Sequence, residues 1–386
     1  GPSGFSGSGP SVSNPSGFQA GTYDLSENGP AGYGAGNWEC VGGTQDDADT
    51  ITLSQGQSAT CTIVNDDIEP RLTLVKKITN DNGGDASTTD WTMTATGPAS
   101  FSGKGPSVSN GADFKAGSYN LSENGPVGYS ASDWVCIGGS QQGSDVITLL
   151  PGDSVTCTIS NDDIEPALTL VKQVVNNNGG TAVAADWTLT ASGPAGFSGS
   201  GPSVTNGAAF QAGTYNLSEN GPSGYEASAW SCDGGNQVDA DTVTVEPGQS
   251  VTCIIINDDE GPGLMLIKQV VNNDGGSAAP SDWTLTATGP AGFSGAGPIV
   301  SNPAGFIAGS YDLSETGPEG YTASAWQCVG VSQEDDDTIT LGPGQSATCT
   351  ISNDDIEPTL TLVKEVINSN GGSATATDWS LMAAGP

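Results

Sequence analysis

Lysine, glutamate and asparagine recur at fixed places inside otherwise apolar strand rows, and the three together suit the formation of an amide bond. Side chains alternate along a strand, so Leu72, Leu74, Lys76 and Ile78 share one face. The row returns with Lys172, Lys268 and Lys364, and these four lysines are half of the chain's 8 basic residues. A second row carries Tyr119, Leu121 and Glu123, with copies at Glu27, Glu219 and Glu315. A third carries Val155, Cys157, Ile159 and Asn161, with copies at Asn65, Asn257 and Asn353. Burying an isolated charge is costly, so three polar residues that enter one core are explained if they meet each other.

Desolvation lowers a lysine toward a neutral, nucleophilic amine, and a buried glutamic acid that keeps its proton can polarise the asparagine carboxamide. The lysine nitrogen would bond to the carboxamide carbon as ammonia leaves, joining Lys76 to Asn161 and clamping the first strand to the last. The alternative is an ordinary ion pair of Lys76 and Glu123 at the rim of the fold, with Asn161 capping the last strand. Conventional hydrolysis has no support, since the chain has no histidine for a triad and no phosphate-binding Gly-Lys motif. The protein is therefore read as no enzyme beyond a single-turnover crosslink, with no cofactor.

The elements that must position these rows repeat with them. Cys40, Cys136, Cys232 and Cys328 step by 96 residues, as do Cys61, Cys157, Cys253 and Cys349, and the tryptophans keep the same step. A period that preserves even loop lengths means one folded domain copied in tandem. Complete units are expected over 70–165, 166–261 and 262–357. Residues 1–69 read as the C-terminal part of a repeat and 358–386 as the N-terminal part of the next. Gly385-Pro386 restates Gly1-Pro2 one period on, so the chain reads as a window whose true termini lie outside it.

Composition sets the class. There are 44 acidic residues against 8 basic ones, a net charge of −36, 57 glycines and 23 prolines. That charge repels nucleic acid and anionic lipid, and no transmembrane run is present. Glycine and proline interrupt segments rich in Thr, Val, Ser and Ile, which predicts short strands joined by turns. In the 70–165 unit strands are expected at 72–78, 91–96, 118–123, 129–137, 146–149 and 154–160, with a weaker one near Val108 or Phe114. Seven or so antiparallel strands suggest an all-β, Ig-like sandwich in each unit.

Each unit has two cysteines 21 residues apart on predicted strands. An intradomain disulfide is the favoured reading, pointing to an oxidising, extracytoplasmic setting; buried free thiols in a cytosolic protein are the alternative. Acidic loops such as Asp46-Asp47-Ala48-Asp49 differ between copies and read as solvated turns. The recurrent pairs Asp66-Asp67, Asp162-Asp163, Asp258-Asp259 and Asp354-Asp355 lie at the domain seams, where a cation or simple hydration are both open; no metal site is assigned. Trp134 and Tyr129 offer a sugar platform, but Trp134 shares the predicted strand face of Cys136 and is expected in the core.

Gly117, Tyr119, Leu121 and Glu123, followed by Pro126, Gly128 and Tyr129, form a pattern similar to the GxYxLxE…PxGY signature of SpaA-type pilins and Cna B-type adhesin repeats. The Leu-Thr-Leu-Val-Lys opening and the final-strand asparagine extend the resemblance through every unit. It implies a prealbumin-like sandwich, an isopeptide between the matching lysine and asparagine, and catalysis by the glutamate. The added cysteine pair departs from that pattern and offers a disulfide in place of the isopeptide. The reading is a tandem array forming an elongated extracellular fibre or adhesin stalk on the cell surface, with residues from about 359 to 386 of one window packing into 1–69 of the next, head to tail, through chain continuity or strand donation. Recognition of glycan or matrix by the repeated units is the runner-up.

Overall fold

The computed structural model describes residues 1–385; Pro386, half of the terminal Gly-Pro pair, lies outside the described residues. In the 70–165 unit the strands are β1 (Arg71–Thr79), β2 (Thr92–Thr96), β3 (Phe101–Lys104), β4 (Ser107–Ser109) and β5 (Gly117–Asn124). They continue as β6 (Tyr129–Ala131), β7 (Val135–Ile137), β8 (Ser140–Gln142), β9 (Val146–Leu149) and β10 (Ser154–Asp163). Two sheets face each other. One has the order β3-β2-β5-β9-β8, and the other runs β4-β1-β10-β6 with β7 also on β10. The 166–261 and 262–357 units repeat this arrangement, the last without a counterpart of β8.

Alternation builds the core as the sequence pattern requires. Leu72, Leu74, Tyr119, Leu121, Ile147, Val155, Cys157 and Ile159 are all buried, and their neighbours along each strand face outward. At roughly 25 cal/mol per Å² of apolar area, these two inner faces are the main stabilising layer of each unit.

Three expectations change. The sandwich is not wholly antiparallel: β1 and β10 run parallel over nine register pairs from Arg71↔Ser154 to Thr79↔Asp162. Alternation says which face a residue takes and nothing about the direction of its neighbour, so the sequence pattern could not reveal this. The expected strand 129–137 is split into β6 and β7, both pairing with β10. Trp134 therefore precedes β7 rather than lying on it, yet it is buried at 4 % exposure and belongs to the core. Finally, β3 and β8 were not expected; they are short edge strands rich in Ser, Gly and Gln, whose weak β-propensity hides them.

All eight cysteines are bonded in pairs: Cys40–Cys61, Cys136–Cys157, Cys232–Cys253 and Cys328–Cys349. Cys136 and Cys157 are direct cross-strand partners, so the bond pins the short edge strand β7 to the long β10. Replacing both by serine should lower the stability of that unit by about 3 kcal/mol through the freed loop. Hydrogen exchange along β7 checks this, and protection equal to that of the other units would contradict it.

The chain's ends differ from the complete units. In residues 1–69 the strands form a three-stranded sheet and two two-stranded sheets, and Tyr23 and Ile51 are the buried apolar side chains. These residues are not a self-contained sandwich. Leu360, at 73 % exposure, Leu362 and Val363 face solvent, and the segment 358–385 contains no strand.

Candidate crosslink site

Lys76 leaves β1 on its inward face, opposite Ile159 of the parallel β10, and Asn161 lies two residues farther along β10 on the same side. Glu123 comes from the facing sheet, near the end of β5 where it is paired with Met93. The two sheets thus carry the lysine and amide on one side and the carboxylate on the other, and the closure of the sandwich brings them together. The Lys76 ammonium nitrogen donates to Glu123 Oε2 at 2.5 Å and to Asn161 Oδ1. Lys172 does the same with Glu219, at 2.7 Å, and Asn257; Lys268 with Glu315, at 2.6 Å, and Asn353.

The lysine side chains have no exposed surface, while those of the glutamates keep 11–12 %. The Lys–Glu ion pair is formed, with its lysine enclosed and its glutamate only partly so. A residue that the sequence reading gave no role closes the pocket: the ring of Trp91 lies 4.7 Å from Lys76 Nζ, as Trp187 does for Lys172 and Trp283 at 4.8 Å for Lys268. Trp91 in turn meets Tyr129 edge to face. Its recurrence one period apart in step with the lysine was the available signal.

Burial pushes Lys76 below the ordinary lysine value of 10.5, and the Glu123 hydrogen bond and charge offset only part of that shift. Lys172 and Lys268 shift the same way for the same reason. The sign for stability follows from proton counts. Between the lowered folded value and 10.5 the unfolded chain binds more protons, so the lysine's cost is present at low pH and fades as pH rises toward 10.5. In a chain that cannot crosslink, Asn161→Ala should therefore gain stability relative to Asn161→Ala/Lys76→Met as pH rises. A pH-independent difference between the two in chemical denaturation would contradict this.

The incomplete ends hold the remaining predicted residues apart. Glu27 and Asn65 are exposed, Asn65 pairing with Ala35 at a strand edge. Lys364 is half-buried beside Trp379, with its Nζ 4.7 Å from the ring.

At the seams, Asp162 is exposed but Asp163 is buried at 3 % exposure. The Asp163 carboxylate accepts the backbone N–H groups of Asp81, Asn82 and Gly84. Asp81, Asp162 and Asp163 place carboxylate oxygens within 4.8 Å of one another. Asparagine replaces Asp81 in the following units, as Asn177 and Asn273, so that cluster does not recur.

The profile of a family described as a prealbumin-like fold domain, SpaA_2, matches residues 1–63, 67–159, 163–255, 259–351 and 355–386. The chain belongs to this family. Solved structures with a similar fold include the Bacillus anthracis TIE protein, 15 % identical over 87 % of this chain and 69 % of that one, with a TM-score of 0.47. A pilus adhesin, SpaC from Lactobacillus rhamnosus GG, is 11 % identical over 87 % of this chain and 56 % of its own, with a TM-score of 0.26. Two B repeat units of the collagen binding protein of Staphylococcus aureus are 9 % identical over 85 % of this chain and 95 % of that one, with a TM-score of 0.21. Among curated proteins, none matches the sequence. This member of the SpaA_2 family is a tandem array of prealbumin-like sandwiches with four disulfides, one in each matched segment but the last, and no helix among its described residues is long and apolar enough to cross a membrane.

Proposed function

We propose that the chain is a structural segment of an extracellular surface fibre or adhesin stalk whose units are stapled by isopeptide bonds between Lys76 and Asn161, Lys172 and Asn257, and Lys268 and Asn353. The observation that carries this reading is the threefold recurrence of a fully enclosed lysine held between a carboxylate and a carboxamide. Glu123 takes a proton from the Lys76 ammonium, and the freed amine bonds to the Asn161 carboxamide carbon. The carbon–nitrogen bond to Nδ2 then breaks as Glu123 returns that proton to Nδ2, ammonia leaves, and Glu123 takes the second proton from the lysine nitrogen, leaving a neutral amide. The closed, water-poor pocket favours the neutral amine and excludes competing hydrolysis.

The strand arrangement gives the bond a mechanical role. Each unit is entered through β1 and left through β10, which lie side by side in parallel. A bond from Lys76 to Asn161, at a sequence separation of 85, carries a pull on the ends past the segment between them. The disulfides support an oxidising, extracellular location. A protease digest of the non-reduced chain should yield a branched peptide containing both Lys76 and Asn161; recovery of the two as separate linear peptides would contradict the staple.

Copies of the chain assemble head to tail in this reading. Residues 1–69 carry Glu27 and Asn65, and the segment 358–385 carries the Leu-Thr-Leu-Val-Lys sequence with Lys364 in non-strand form. Exposed Leu360 and Leu362 provide its apolar face, and a second copy is a complementary partner for it. Sedimentation at rising concentration should show linear oligomers that Leu362→Asp abolishes. A monomer at every concentration would contradict the assembly.

A further inference from the structure

The buried carboxylate at the end of each last strand acts beyond its own unit. Asp163 holds the loop 80–84 through three backbone N–H groups, and its own carbonyl accepts Asn82 Nδ2. With the loop fixed, the Asn82 carbonyl faces the next unit and accepts the Ala212 N–H at 2.7 Å. Gly83 sits at φ 87° against that neighbour, where an added Cβ would lie 2.6 Å from both N and O of Ala212. A second clasp lies beside it. Ile164, in the linker, donates to the Gly128 carbonyl of its own unit and accepts the Gly248 N–H of the next.

The following seam repeats this. Asp259 accepts the N–H groups of Asn177, Asn178 and Gly180, and the Asn178 carbonyl accepts the Ala308 N–H at 2.7 Å. Glu260 takes the place of Ile164, between Gly224 and Gly344.

The 262–357 unit supplies an internal comparison, because among the described residues no strand-built unit packs against its loop. Asp355 still accepts the N–H groups of Asn273, Asp274 and Gly276 there, while Gly275, the counterpart of Gly83, has open space around it. The loop is therefore shaped by its own unit before any neighbour docks.

We propose that Asp163 and Asp259 are latches that set the orientation of each unit on the next, making the array a rod of fixed inter-unit geometry. Domains joined by a short linker move relative to one another unless their contact is specific. Here a preorganised loop supplies the specificity, since its backbone carbonyl is aimed without side-chain freedom to lose on docking. The latch does not require the lysine crosslink; it needs only that Asp163 be carried on β10.

The test uses the full chain with spin labels on unnatural side chains at the exposed positions Gln142 and Val238, which are equivalent sites in neighbouring units. Pulsed electron–electron resonance should give one narrow distance distribution in the parent. Asp163→Ala should about double its width, since the units are then free to move. Gly83→Ala, which leaves the carboxylate and the core untouched, should broaden or displace the same peak. Either folded variant keeping the parent distribution would overturn the proposal. If Asp163→Ala loses its near-ultraviolet tryptophan signal, and with it the fold, Gly83→Ala alone decides.

Discussion

Replacing Glu123 with alanine should restore one ammonia to the mass of the 70–165 unit and leave the other two complete units crosslinked. The reason lies in the pocket: Lys76 has no other carboxylate among its hydrogen-bond partners, so nothing remains to take its proton or to protonate the leaving nitrogen. The variant also strands a fully enclosed amine without its counter-charge. Breaking a buried pair in this way costs on the order of 3–5 kcal/mol, in addition to the loss of the covalent staple. Glu123→Gln separates the two effects, because it keeps a hydrogen-bond acceptor but cannot relay the proton. Both variants should be uncrosslinked, with the glutamine form the more stable. A crosslinked unit in either one would remove Glu123 from the chemistry.

The second large effect is expected at Trp91. This side chain is 1 % exposed, lies over the Lys76 amine and packs against Tyr129, so it is at once core and lid. Trp91→Ala should destabilise its unit by about 3–5 kcal/mol, as large-to-small changes in packed cores do. Opening the pocket to water also removes the desolvation that lowers Lys76, returning the amine toward its charged form and slowing crosslinking. Trp91→Phe should keep most of the stability and part of the rate. The time course of ammonia loss after refolding measures the chemistry, and denaturant midpoints measure the packing. A Trp91→Ala unit that crosslinks at the parental rate would show that the ring contributes packing alone.

Much of this was legible because the repeat multiplies each signal. One lysine in an apolar row is ambiguous, but Lys76, Lys172, Lys268 and Lys364 at one spacing identify a place where the fold requires a lysine. The inward faces of β1, β5 and β10 followed from period-two alternation and needed no other information. Direction did not follow. The parallel pairing of β1 with β10 joins segments about 80 residues apart, and nothing local encodes it. Trp91 was visible as a recurring residue yet not as a lid, because its approach to Lys76 depends on how the sheets close. Asp163 was not singled out for a related reason: in sequence the pair Asp162-Asp163 leaves a cation and hydration both open, whereas strand alternation turns one outward and buries the other among backbone N–H groups.

Intact mass of the purified, non-reduced chain tests the central claim most directly. The account predicts a mass short of the sequence value by three ammonia molecules and by the hydrogens of four disulfides, with reductant restoring only the hydrogens. A mass that lacks only the disulfide hydrogens would show that lysine, glutamate and asparagine form a buried polar cluster and no covalent staple.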